Sequence, residues 1–246
     1  MFRDSDTISK IIQSDPLTAY FLQKSGVDYL AYLDVTLRQT CLSLNKSTNK
    51  ILDSLNFKFP NIYRRAGDFN QYTIAELCKY LRESHHEYIR EKLPFIESKL
   101  KYLSGNDKSI SALAKLFTKF KTRFIEHIDY EETKFFPYLD RLQFCKSLTE
   151  TELYEIYLST KCFSVDKFIK NHSPVEEEIY DLQSIFQSEL DEKVDNIHVP
   201  IILSEIQALI DDLEIHAQIE DKILVGKAEE LEEDVQMKMY RLASLN

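Results

Sequence analysis

Leu17, Tyr20 and Phe21 fall on one helical face, behind Asp15 as a predicted N-cap and Pro16 at the first helical position. Gly26 supplies a stop. Helical patterning returns at Val35 to Leu44 and at Thr48 to Leu55, so the first 58 residues read as a small helical domain. Residues 57–72 carry Pro60, Gly67 and two asparagines and are predicted to be the boundary linker.

From residue 73 the pattern lengthens. Thr73 and Glu76 form a capping box that opens a first long helix reaching Leu103. Gly105-Asn106-Asp107 makes a turn, and Asp107 caps a second helix carried to about Phe144. A third is expected from Ser164 to Val194, and a fourth from about His198 to Leu224. Gly226 is expected to interrupt the fourth, leaving a polar amphipathic tail to about Leu242. Residues 146–161 make too long a connection for a turn and should hold a short helix of their own. The predicted fold class is all-α: an up-down-up-down four-helix bundle with its tail over residues 73–246, preceded by the small helical domain.

Composition narrows the choice further. Only 4 Gly and 6 Pro occur among 246 residues, which argues against β-sandwiches, Rossmann folds and phosphate-binding loops. A net charge of −10 disfavours nucleic acid and anionic membrane as partners. The polar N-terminus reads as no signal peptide, and no apolar run approaches the roughly 18 residues of a membrane span. Cys41, Cys78, Cys145 and Cys162 form no CxxC pair, which points to packed thiols in a reducing cytoplasm.

The chemistry lies in the histidines. His86, His127, His172 and His216 are spaced by about 41 to 45 residues, one near the middle of each long helix. The predicted turns lie close to midway between successive members, so at ~1.5 Å rise per residue all four reach one level of the bundle. His127 to Glu131 and His216 to Glu220 are both HxxxE, and residues i and i+4 share a helix face. Both pairs run on alike: Glu131-Glu132 leads to Phe136-Pro137, and Glu220-Asp221 leads at the same offsets to Val225-Gly226. Four His and two Glu converging in a bundle core is the ligand count for two metal ions bridged by two carboxylates, and N/O ligation without Cys suits iron or manganese. Glu132 and Asp221, turned about 100° from their neighbours, are expected to matter much less. His85 is likewise turned from His86 and is assigned to a supporting or surface role. His198, about 27 Å along its helix from His216, should be an end residue.

The blander alternative is a metal-free bundle whose histidines are satisfied core or surface residues. A single HxxxE is weak in a chain this rich in Glu; two on alternate helices at matched height, with a lone His on each remaining helix, are not. The acidic run Glu229, Glu230, Glu232, Glu233 and Asp234 reads as a solvated helical face.

Ser84-His85-His86-Glu87-Tyr88-Ile89-Arg90-Glu91-Lys92-Leu93-Pro94, then His127 with Glu131-Glu132 and Phe136-Pro137, then His172, and His216 with Glu220, resemble the hemerythrin-like HHE cation-binding domain. More narrowly they resemble the iron–sulphur cluster repair di-iron proteins. That resemblance implies two non-haem iron ions in an oxo-bridged di-iron centre, with His86, His127, His172 and His216 as terminal ligands and Glu131 and Glu220 as bridges. It also implies O2 or NO as small ligand, and damaged iron–sulphur proteins as partners in nitrosative or oxidative stress. Ile11 to Pro16 and Phe21 to Tyr29 follow the family's small N-terminal domain. Where the family then places Cys-Cys and Gly-Gly, this chain has Leu30, Ala31, Tyr32 and Leu33, so thiol chemistry is not carried over at that position. The runner-up is therefore a carrier or sensor of O2 or NO without repair activity.

Overall fold

The computed structural model describes residues 1–56, 69–105, 107–144, 149–171, 175–190 and 196–245. Among them the fold is all-helical, apart from one isolated bridge between Thr7 and Thr36. No described helix is long and apolar enough to cross a membrane.

Four short helices open the chain: α1 (Ile8–Ser14), α2 (Thr18–Lys24), α3 (Leu37–Ser43) and α4 (Thr48–Asn56). Asp15 ends α1 instead of capping α2, because its extended backbone donates its N–H to Ile11 in the last turn of α1. Its carboxylate accepts from Leu17 N at 3.3 Å, and α2 starts only at Thr18. Gly26 does end this segment, at φ 73°, a left-handed conformation that glycine reaches without strain. The expected linker at 57–72 lies outside the described residues up to position 68, and Phe69–Gln71 forms a single 3-10 turn.

The long helices follow. Ile74–Glu87 (α5) is opened by the Thr73–Glu76 capping box and runs through Tyr88–Lys92 into Leu93–Ser104 (α6). Lys108–Tyr130 (α7), capped by Asp107, runs through Glu131–Phe135 into Phe136–Leu142 (α8). The expected connecting helix is Glu150–Cys162 (α9), opened by a Thr149–Glu152 capping box. Over the expected third long helix the described residues form Val165–Asn171 (α10), a 3-10 turn at Val175–Glu177 and Glu178–Leu190 (α11). The fourth, His198–Ala217 (α12), continues through Gln218–Leu224 into Val225–Leu245 (α13). Gly226 therefore does not interrupt it. The tail is held in register by packing on α9, with Ala228 and Val235 fully buried.

In space α6 packs on α7, α7 on α11, α11 on α12 and α12 on α6. Their facing side chains make one apolar cluster, including Leu93, Phe117, Phe124, Phe186, Leu209 and Leu213. A second cluster, including Leu81, Phe135, Phe136, Phe168, Leu224 and Val235, fills the end formed by α5, α8, α10 and α13. The N-terminal helices make a third, which takes in Phe95 of α6 and Ile201 of α12. Tyr20 OH also donates to Glu87 at 3.2 Å and Glu91 at 3.1 Å, and Lys99 Nζ donates to Gln23 at 2.8 Å.

Candidate metal centre

A polar plane divides the first two apolar clusters. Along α5 it lies between Leu81 and Tyr88, along α7 between Ile128 and Phe135, and along α12 between Leu213 and Ile219. His85, Glu131 and His216 fall in these gaps, with Glu220 one residue beyond Ile219, each no more than 2% exposed, and with His127 one residue before Ile128 at 7%.

At this plane each helix that supplies a group widens by one residue. Tyr88–Lys92, Glu131–Phe135 and Gln218–Leu224 are π-turns. Each closes with an i→i−5 bond, from Leu93 N to Tyr88 O, Phe136 N to Glu131 O and Val225 N to Glu220 O. In all three the next residue is one that suits a weakened ladder: Pro94, Pro137 and Gly226. Proline lacks the N–H for an i→i−4 bond and its ring crowds that carbonyl, so a wide turn immediately before it relieves both problems. The two carboxylates, Glu131 and Glu220, sit inside these π-turns.

The side chains converge closely. His85 Nε2 lies 2.7 Å from His216 Nε2 and 3.2 Å from Glu131 Oε2. His127 Nε2 lies 2.7 Å from Glu131 Oε1, and His216 Nδ1 lies 3.6 Å from Glu220 Oε2. One ligand atom from each of His85, Glu131 and His216 falls within a 4.8 Å group. Burial works against charging His85, but the carboxylates of Glu131 and Glu132 outweigh it and hold the imidazole above the usual histidine range. Tyr88, 3% exposed, closes the other side with its ring centroid 6.1 Å from that of His216.

The sequence-predicted groups are thus brought together in part. His127, Glu131, His216 and Glu220 are at the plane. His86 is exposed, and its neighbour His85 occupies the interior position. One residue is about 100° of helix rotation, and α5 buries the face of Leu77, Cys78, Leu81 and His85. A surface role for His85 is therefore corrected, because its ring is buried at the plane. His172 lies outside the described residues. His198 is the first residue of α12, buried against Tyr102 with ring centroids 4.5 Å apart, as an end residue. Glu132, beside Glu131 in the same π-turn, reaches the site from outside, its Oε1 2.8 Å from His85 Nδ1.

Comparison with known proteins gives one distant relative. The chain is 20% identical over 146 residues to the iron-sulfur cluster repair protein ScdA of Staphylococcus haemolyticus, covering 58% of this chain and 65% of that protein. The match thus spans somewhat less than two thirds of the relative's length. No family model matches the chain.

Proposed function

We propose that His85, His127, His216, Glu131 and Glu220, with His172 as the remaining imidazole, hold two non-haem iron ions in a hemerythrin-like four-helix bundle. The protein would act in iron–sulphur cluster repair under nitrosative or oxidative stress. The observation that carries this is the burial of two carboxylates and three imidazoles at one level, with mutual distances of 2.7–3.6 Å. The donor set fits the ion: imidazole nitrogen and carboxylate oxygen without thiolate suit iron. Removing two carboxylates from water costs several kcal/mol each unless cations share the site. The distant likeness to a cluster repair protein agrees with this reading.

Bound iron would supply electron-transfer chemistry and an open coordination position for a diatomic such as NO or O2. This chain's own groups do the rest. Glu131, reached by imidazoles of two helices, and Glu220, beside His216, would be the carboxylates that hold the ions. The apolar clusters on both sides keep bulk water away, and Tyr88 covers the face toward α6. The small N-terminal helical domain would dock on α6 and α12, in a cytoplasmic protein whose described cysteines, Cys41, Cys78 and Cys162, are all free thiols.

A second reading is a carrier or sensor of O2 or NO without repair. It is favoured by the segment Tyr29–Tyr32, a 3-10 turn in which Tyr29 is buried under Lys99, 4.8 Å from Nζ to ring centroid, where the resembling family has cysteines. Reactivation of a nitrosylated iron–sulphur enzyme separates the two. Recovery with the iron-loaded protein supports repair. No recovery, with a reversible NO-dependent spectral change, supports the sensor.

A further inference from the structure

Two adjacent histidines could serve the centre from α5, and the fold selects one. We propose that Glu132 is the positioning residue that makes His85, and not His86, the α5 imidazole of the metal centre. This rests on the metal reading above.

The geometry is a chain of contacts on one side of the site. Glu132 Oε1 lies 2.8 Å from His85 Nδ1. A carboxylate accepts, so Glu132 favours the hydrogen on Nδ1, and Nε2 is then the nitrogen that a neutral imidazole would offer to a metal ion. That is the nitrogen facing His216 Nε2 and Glu131 Oε2. The other oxygen of Glu132 is 3.4 Å from Arg82 Nε, and Arg82 Nη2 donates to Asp140 Oδ2 at 2.9 Å. Phe136 holds the assembly flat. His85 stacks on its ring at 5.6 Å with planes 10° apart, and the Arg82 guanidinium lies 5.2 Å from the ring centroid.

Every member therefore acts on the ring orientation or tautomer of His85. His86, exposed one residue on, shares none of these contacts. Asp140 and Phe136 come from α8, Glu132 from the π-turn before it, and Arg82 from α5, so the device ties α5 to the α7–α8 helix at the level of the centre. Carboxylates that accept the second N–H of a ligating histidine raise its basicity and fix its orientation, and their loss weakens metal binding by about 10- to 100-fold.

The test uses the metal-free 246-residue chain titrated with Co2+, reading both affinity and the d–d absorption bands. E132A should weaken binding by about 10- to 100-fold and change the band shape. E132Q keeps an acceptor oxygen for Nδ1–H and should recover the wild-type band shape with a loss under about tenfold. H86A should match wild type in both. Far-UV circular dichroism confirms that each variant is as helical as wild type. Wild-type uptake with E132A unaffected, with E132Q as impaired as E132A, or with H86A as damaging as H85A, overturns this inference alone. A wild-type chain that takes up neither Co2+ nor iron overturns the metal reading and the inference together.

Discussion

His85 Nε2 and His216 Nε2, 131 residues apart in the chain, meet at 2.7 Å. Two imidazole nitrogens come that close when they share a proton or share a cation. Under the metal reading both offer lone pairs to one ion. H85A or H216A should then lower the iron content of the purified protein at least twofold, whereas H86A should leave it unchanged. Elemental analysis of the three variants checks this, and equal losses for H85A and H86A would count against the exchange of roles.

The buried carboxylates make stability depend on metal. Glu131 and Glu220 are at most 1% exposed, and binding to the native state alone stabilises by mass action. Chelation should lower the wild-type melting temperature by about 5 °C or more. E131A and E220A should melt at one temperature with or without chelator. Asp221 is exposed, and D221A should keep the wild-type response. Differential scanning calorimetry with and without chelator reads all four proteins.

A third buried carboxyl, Glu205, predicts a pH dependence away from the centre. Glu205 on α12 is 2% exposed, and its Oε1 has no hydrogen-bond partner. Desolvation, reinforced by Asp212, Asp15 and Glu87 against the opposing Lys92, pushes it up to about 8 from 4.5. The native state therefore holds this proton to higher pH than the unfolded chain does. Its contribution is fully present below about pH 4.5 and is lost as pH rises through 8. Urea unfolding between pH 5 and 9 should show stability falling by a few kcal/mol for wild type. E205Q, which cannot ionise, should flatten that slope.

In the acidic tail, Glu232 joins helices. Glu232 accepts from Tyr138 OH and from Val165 N, the latter at 2.9 Å, joining α13 to α8 and α10. E232A should cost about 1–3 kcal/mol by leaving these donors without their acceptor. E229A and E233A, at exposed positions, should fall within about 0.5 kcal/mol of wild type. Chemical denaturation of the three variants gives the comparison.

Much of this architecture could be read from residue types. The Thr73–Glu76 box, the Asp107 cap and the helix over 150–162 follow from capping chemistry and periodicity. The convergence of His127, Glu131, His216 and Glu220 follows from i, i+4 spacing and matched heights. What escaped was helix phase. A π-turn inserts a residue without any residue type of its own, yet Pro94 and Pro137 inside otherwise helical runs carried a readable sign of it. Gly226 looked like a break because glycine weakens a helix, but tertiary packing of α13 on α9 outweighs that local preference. The exchange of His85 for His86 also turns on phase: one residue of rotation is invisible to spacing that matches to within a few residues. The contact of Glu132 with His85 turns on phase as well. Facing away from the bridging direction, this carboxylate faces His85 instead.

Metal analysis of the 246-residue chain purified from iron-replete cells decides whether the buried histidine and glutamate plane holds iron. Purified without added metal or chelator, the chain should carry about two iron per molecule, with E131A reduced to a small fraction of that. Wild-type protein that is correctly folded and free of iron, or E131A that retains the wild-type content, would contradict the account.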